Sequence, residues 1–340
     1  MRLAIDAMGS DHGFMTILEG VSQYVEMDRK SEILLVGREE ALFQGLKQIG
    51  LAHHGRIRVV QASEVIEMED KIASLREKRD SSISRTVQLV KDGEADAMVA
   101  LGNTMAAVAT TRLGLKHIEG VHRAGIAVPM PSKRGACVVI DMGANINVKP
   151  RHLYTYGVMA AAYSRLVLGE KNPRVGLLNV GEEDVKGNDT LKEAFALLKK
   201  APINFIGNVE GGDIFSGVCE VVICDGFVGN ALLKASEQIA SAFADMLKEA
   251  IGQSFLSRLG ALLARSAFAT VKRKANYDQY GGAPLLGVNG ICIIGHGRSN
   301  PTAVRNALRV ARESVASGLN DHIRETLLSS PGVPACGTAE

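Results

Sequence analysis

One alternation dominates the sequence and limits what it can fold into. Short apolar runs, rich in β-branched residues, end in glycine-containing polar turns, and each turn leads into a stretch of helical period. Such runs occupy residues 3–5, 33–36, 57–60, 97–101, 175–180, 203–206, 221–224 and 290–294. Helical stretches follow at 15–27, 38–46, 105–115, 191–198 and 231–251, and another spans 152–168. Strand, turn, helix in repetition predicts an α/β fold of three layers, α/β/α, around a mostly parallel, doubly wound sheet. The apolar runs at 125–128 and 136–140 flank a Pro-Met-Pro segment and a basic turn. They fit either a hairpin or two separate lobes.

At 340 residues and 46% apolar content, the chain is long enough for a large core. We expect one intertwined unit over 1–330. Its first lobe takes about 1–145 with 288–330, and its second about 146–287. The Pro/Gly-containing stretch 331–340 reads as a flexible tail.

Ligands of such sheets bind beyond the carboxyl ends of the strands. The polar turns at 6–13, 102–104, 181–190, 225–230 and 295–300 all leave predicted carboxyl ends and are expected to meet at one crevice. The turn after 175–180 is the richest. It reads Gly181-Glu-Glu-Asp-Val-Lys-Gly-Asn-Asp-Thr190, with Thr190 and Glu193 spaced as a capping box. A strand, a polar turn and a helix N-terminus present free backbone N–H groups to an anion, and Lys186 adds a positive charge. An ordinary solvated connection has the same appearance.

The balance of 39 basic and 37 acidic residues gives a formal charge of +2, without the field of a nucleic-acid binder. No Trp and 4% aromatic content also disfavour base stacking. The five cysteines show no metal spacing, and four lie in or beside apolar runs, as free buried thiols of a reducing compartment do. Asp6 interrupts the N-terminus of any signal peptide, and no apolar run is long enough to cross a bilayer. The phosphate-loop, dinucleotide and nucleophile-elbow templates are absent, and no cofactor or metal is predicted. The remaining Asn, Ser, Thr and Lys side chains at helix N-termini suit a small oxyanion such as phosphate.

The stretch 255–274 is separate. At 100° per residue Phe255, Leu256, Leu259, Leu262 and Leu263 share one arc. Arg258, Arg265 and Lys272 collect on the other side, followed by Arg273 and Lys274. A helix packed on the core or on a second copy fits this pattern. So does a tip that touches a membrane, an acyl chain or an acidic partner.

A series of motifs then carries a specific resemblance. In order they are Ile5-Asp-Ala-Met-Gly-Ser-Asp-His12, Arg76-Glu-Lys-Arg-Asp-Ser-Ser82, Gly102-Asn-Thr104, Asp141-Met-Gly-Ala-Asn145 and Gly176-Leu-Leu-Asn-Val-Gly-Glu182. Lys186-Gly-Asn188, Phe205-Ile-Gly-Asn-Val-Glu210, Cys224-Asp-Gly-Phe-Val-Gly-Asn230, Gly281-Gly-Ala-Pro-Leu-Leu-Gly-Val-Asn-Gly290 and His296-Gly297 follow. The chain resembles the bacterial phosphate acyltransferases of phospholipid synthesis, the PlsX type, to about residue 328. Met105 and Arg298 depart from the residues usual in that family.

The resemblance implies a fold similar to phosphate acetyltransferases and isopropylmalate-type dehydrogenases. It implies transfer of a fatty acyl group from acyl carrier protein to inorganic phosphate, in a cytoplasmic homodimer touching the membrane peripherally. A downstream glycerol-3-phosphate acyltransferase would use the acyl phosphate. The segment around Arg258, Leu259, Leu262, Leu263, Arg265, Lys272 and Arg273 becomes the expected carrier or membrane contact. Within that reading, Lys186 is the expected phosphate ligand, with Ser82, Asn103, Thr104, Gly181, Asn188 and Asp225 around the substrate. Asn230 or a neighbouring backbone N–H is the expected oxyanion donor. His12 or His296 is the expected proton donor to the leaving thiolate. The rivals are a phosphotransacylase using coenzyme A thioesters, an NAD-linked dehydrogenase and a non-enzymatic carrier or membrane adaptor.

Overall fold

The computed structural model describes residues 1–67, 70, 73–275 and 281–329. Its described strands form one continuous sheet. From one edge inwards lie β3 (Ile57–Gln61), β2 (Glu32–Gly37), β1 (Arg2–Asp6), β4 (Ala97–Ala100) and β11 (Ile291–Ile294), all mutually parallel. β10 (Ala283–Leu286) runs antiparallel to β11 and to β5 (Gly125–Ser132). β5 turns back into β6 (Gly135–Ile140) as an antiparallel hairpin. Beyond β6 come β9 (Val221–Ile223), β7 (Arg174–Leu178) and β8 (Asn204–Val209), parallel to β6.

The runs at 125–128 and 136–140 therefore pair directly. Because β10, β5 and β6 alternate in direction, the two parallel blocks run in opposite senses. The predicted α/β fold with a mostly parallel sheet and helices on both sides is what forms.

The sheet separates two apolar layers. Val138 and Ile140 face one cluster with Leu3, Ile5 and Tyr156, whereas Cys137 and Val139 face the other with Met98 and Ala100. Successive side chains of a strand point to opposite faces, so a strand covered on both sides must be apolar throughout. The first layer is closed by α1 (Phe14–Met27), α2 (Glu39–Gln48), α6 (Pro150–Leu166), α7 (Asp189–Leu198), α12 (Pro301–Ala316) and α13 (Leu319–Leu328). The second is closed by α4 (Ser82–Lys91), α5 (Thr104–Leu115), the short α8 (Asp213–Ser216) and the start of α9 (Gly226–Gly252). The short α3 (Ser74–Glu77) precedes α4. Truncating a side chain buried this completely costs about 2–5 kcal/mol. Cys137, Cys219, Cys224 and Cys292 are buried free thiols, and burial pushes Cys292 up to about 12.

Local capping signals behave unevenly. Asn300 caps α12, its side chain accepting from the Ala303 N–H at 2.9 Å, with Pro301 at N1, an Asn-Pro pair being a local helix-start pattern. The Thr190–Glu193 capping box does not form. Asn188 takes the cap of α7 and accepts from Leu191 N at 2.9 Å, because extended backbone there starts the helix two residues earlier. Asn230 was expected in the turn after β9. It lies inside α9, since Asp225 caps the helix by accepting from Phe227 N and Val228 N.

α9 runs for 27 residues, about 40 Å, and only its start is covered. Beyond it stand α10 (Phe255–Leu263) and α11 (Arg265–Ala275). No residue of α10 is buried, and Leu263 is 80% exposed. The side chains of Lys272 and Arg273 lie outside the described residues, as does the stretch 331–340. Among the described residues no helix is long and apolar enough to cross a membrane.

Candidate active site

Turns from the two blocks meet at a cavity of about 390 Å3. Thr104 and Met105 come from the start of α5, and Gly295 and His296 from the turn after β11. Met142 and Gly143 follow β6, and Asn230 comes from the first turns of α9. Ile126, Val128, Pro129 and Leu233 supply an apolar wall, and the Lys234–Glu237 pair, 3.9 Å apart, also lines the cavity.

Two close approaches build this arrangement. A Cβ on Gly102 would meet the Gly9 carbonyl oxygen at 2.6 Å, so the turns after β1 and β4 touch backbone to backbone. Asp11 N donates to Gly297 O at 2.9 Å and Ser10 Oγ to the same oxygen at 3.2 Å, tying in the turn after β11. Across the cavity a Cβ on Gly229 would lie 2.0 Å from the Asp141 carbonyl oxygen. Only glycine lets α9 start that close to the turn after β6.

Asp141 organises that turn. Its Oδ1 accepts from the backbone N–H groups of Ile126 (3.0 Å), Gly143 (3.2 Å) and Ala144 (3.0 Å). Its Oδ2 accepts from Asn145 N (2.7 Å) and Asn145 Nδ2 (3.0 Å). Burial pushes its carboxyl up, while the bonds from Ala144, Ile126 and Asn145 pull it down, and the net direction is upward. Asn145 Nδ2 also reaches Ala124 O at 2.7 Å and Tyr156 Oη at 2.8 Å. Motif spacing marks Asp141 and Asn145 but says nothing of this role, because their partners lie as far away as Ala124 and Tyr156.

The predicted site residues divide into groups. Thr104, Asn230 and His296 line one cavity. The side chains of Thr104 and Asn230 make no hydrogen bond to another described residue, so both are free to face a ligand. His296 Nδ1 accepts from Arg298 N at 3.1 Å, which leaves the proton of a neutral ring on Nε2.

Other predicted residues are occupied structurally. Asn103 caps α5 through Ala106 N at 3.0 Å, and its Nδ2 donates to Glu67 O at 3.2 Å. Asn188 and Asp225 are the caps of α7 and α9. Ser82 is 1% exposed, and its Oγ forms no close hydrogen bond. It sits beside the buried Asp6, whose carboxyl is pushed up by burial and pulled back by Ser82, Met8 and Gly9. His12 is exposed, its backbone N–H donating to Ser10 Oγ at 3.2 Å, and does not line the cavity.

Gly181 and Lys186 lie in the β7–α7 turn, which does not line the cavity either. Lys186 Nζ is 3.9 Å from Glu183 Oε1 and half exposed. A second cavity, of about 380 Å3 between α6, α13 and the starts of β7 and β8, contains none of the candidates.

The fold is that of the phosphotransacetylases. The enzyme from Streptococcus pyogenes superposes with a TM-score of 0.63 at 15% identity, covering 93% of this chain and 94% of that one. The EutD phosphotransacetylase from Staphylococcus aureus gives 0.61 at 16%, with the same coverage.

Sequence relationship is closer and more specific. The family model described as "Fatty acid synthesis protein" matches residues 1–322. The phosphate acyltransferase of Pelotomaculum thermopropionicum is 47% identical over 330 residues, covering 97% of this chain and 96% of its own length. That of Heliobacterium modesticaldum is 45% identical over 326 residues, covering 96% and 97%. The chain belongs to the phosphate acyltransferase family, and it is an enzyme of the transferase class.

Proposed function

We propose that the protein transfers a fatty acyl group from the thioester of acyl carrier protein to inorganic phosphate, releasing an acyl phosphate for phospholipid synthesis. The observation that carries this reading is the cavity where an apolar wall faces Thr104, Asn230 and His296. An acyl–pantetheine arm matches such a wall, and the polar side chains match the reacting end.

A phosphate oxygen attacks the thioester carbonyl carbon. The C–O bond forms as the C–S bond breaks, and the thiolate takes up a proton. Phosphate is itself the nucleophile, so no covalent enzyme intermediate is required. The Asn230 amide donates to the developing oxyanion, a contribution of about 3–4 kcal/mol for one well-placed donor. The Nδ1 bond from the Arg298 N–H fixes the tautomer in which His296 donates an Nε2–H hydrogen bond to the leaving thiolate, and the proton that the thiol keeps comes from the attacking hydrogen phosphate. Thr104 and the α5 N-terminus hold phosphate, and Lys186 and Gly181, which lie outside the cavity, contribute by movement of the β7–α7 turn toward it. Asn103, Asn188 and Asp225 act on substrate through the helix N-termini they cap, and Ser82 through Asp6.

The exposed apolar face from Ile239 along α9 to Leu263 in α10 supports a homodimer and peripheral attachment to the cytoplasmic face of a membrane. A glycerol-3-phosphate acyltransferase would consume the product.

The test is incubation with acylated carrier and phosphate, trapping acyl phosphate as hydroxamate. Hydroxamate from the carrier thioester is expected. Product from the coenzyme A thioester alone would make the protein a phosphotransacylase of free thioesters. Carrier binding with no product from either donor would make it an adaptor.

A further inference from the structure

Basic side chains distant in the sequence gather beside the turn that Asp141 holds. Arg112 ends α5, and His117, His122 and Arg123 lie in the connection to β5. Lys149, Arg151 and His152 form the start of α6. The Asn145 Nδ2 bond to Ala124 O at 2.7 Å locks the residue after Arg123 against the 141–149 turn. Lys149 N donates to His152 Nδ1 at 3.0 Å, within the same turn of helix.

The charges act on one another. Burial first, then Arg112, Arg123 and His122 hold His117 below its ordinary value. Burial first, then Arg123, Arg151, His122 and Lys149 do the same to His152.

No described acid lies within ion-pair distance of Arg112, Arg123, Lys149 or Arg151. The carboxylate that acts on Arg112 is Asp141, whose oxygens are already filled by N–H donors. The His117 Nε2 atom is buried without a partner. A self-repelling cluster destabilises the free protein and is relieved by an anion from outside.

The adjoining surface is apolar. Strand order β6–β9–β7 sets the three following loops side by side. On them Ile146 is 67% exposed, Val180 80% and Val185 76%, and Phe227 in the first turn of α9 is 67% exposed. Around Ile146 the charges are basic, whereas the β7–α7 turn of Val180 and Val185 carries the exposed acids Glu182, Glu183 and Asp184, so the interface for a partner of opposite sign is the Ile146 side of this surface. The same turn reaches the cavity, since Gly143 lines it six residues before Lys149.

We infer that this basic cluster, with its apolar neighbours, is the docking surface for the carboxylate-rich face of a small acidic protein that carries the acyl thioester. The inference rests on the reading that the donor is protein-borne. It moves carrier contact away from α10 and α11 and leaves that segment to the membrane. The contour favours a protein over a bilayer. Arg112 is half-buried, while Arg123, Lys149 and Arg151 stand out. A convex helix reaches cations at both depths, whereas a flat surface meets only the outermost.

The test compares two donors, an acylated acidic carrier protein and an acyl pantetheine, each with phosphate, on the full chain. Arg123→Glu and Arg151→Glu alter exposed side chains, and unchanged thermal unfolding verifies their fold. Each is expected to raise KM for the carrier-borne donor about tenfold or more and to leave kcat/KM on acyl pantetheine unchanged. Added salt raises the wild-type carrier KM and has less effect on the variants. An unchanged carrier KM, an equal loss on both donors, or loss of phosphatidylglycerol-vesicle binding in place of carrier kinetics overturns the inference. A wild type that makes acyl phosphate from neither donor removes the activity reading alone. Carrier titration then decides the surface, and equal binding by wild type and variants sinks it.

Discussion

Asp141 and Asn145 are joined twice, the Asp141 Oδ2 accepting from Asn145 N at 2.7 Å and from Asn145 Nδ2 at 3.0 Å. Through that pair the turn after β6 holds Gly143 at the cavity and Lys149 at the basic cluster. It also meets α9, since Gly226 N donates to Asn145 O at 2.9 Å. Asp141→Asn turns one acceptor oxygen into a donor facing N–H groups. A loss of about 2–4 kcal/mol is expected in urea unfolding, with reduced kcat on either donor. A loss below about 0.5 kcal/mol would mean that other contacts hold the turn.

Gly229 lies where α9 crosses that turn. Gly229→Ala places a methyl 2.0 Å from the Asp141 carbonyl oxygen, which backbone must move to accept. About 1–3 kcal/mol of destabilisation is expected. Gly252→Ala, in open space at the other end of α9, serves as the control and should be neutral or slightly stabilising. Equal behaviour of the two variants in thermal unfolding would contradict the close approach.

Lys186→Ala tests whether the β7–α7 turn reaches phosphate. A phosphate KM raised about tenfold or more is expected, with the KM for the acyl donor little changed. Unchanged phosphate kinetics would take Lys186 out of the site and leave it as the half-exposed partner of Glu183.

His152 gives a pH dependence of fixed sign. Burial, with Arg123, Arg151, His122 and Lys149, lowers it from 6.5 to about 4. Between those values the unfolded chain binds more protons than the folded one, so stability rises with pH. The contribution is complete above pH 6.5 and is lost as pH falls toward 4. His152→Asn keeps an acceptor for Lys149 N and should flatten this limb. From pH 7 to 5 the wild type should lose about 1–2 kcal/mol more than the variant in urea unfolding. Parallel curves would show that His152 does not carry the effect.

The exposed leucines of α10 give a membrane prediction. Leu262→Glu with Leu263→Glu should cut sedimentation with anionic vesicles about tenfold or more, because each acid opposes burial of an apolar side chain in lipid. Turnover in vesicle-free buffer should stay as in the wild type. Retained vesicle binding would assign this face to another contact.

Local order in the sequence was enough for the alternation of strand and helix, the Asn300–Pro301 start of α12 and the motifs that carry the family. Each depends on residues a few positions apart, where backbone geometry and capping chemistry act directly. The site was legible only in part. The β7–α7 turn has the richest local chemistry, yet the cavity forms elsewhere, around Thr104, His296, Gly143 and Asn230. Which turns share a cavity depends on strand order and direction, set by the β5–β6 hairpin and β10, and no short-range pattern encodes that. The same holds for the basic cluster, whose members run from Arg112 to His152 in sequence. They become neighbours because Ala124 is bonded to Asn145, a contact that only the folded sheet creates. Sequence alone determined the kind of elements and the chemistry available to them. Tertiary structure decided which of those groups face one another, since long-range packing fixes the distances over which charge and hydrogen bonding act.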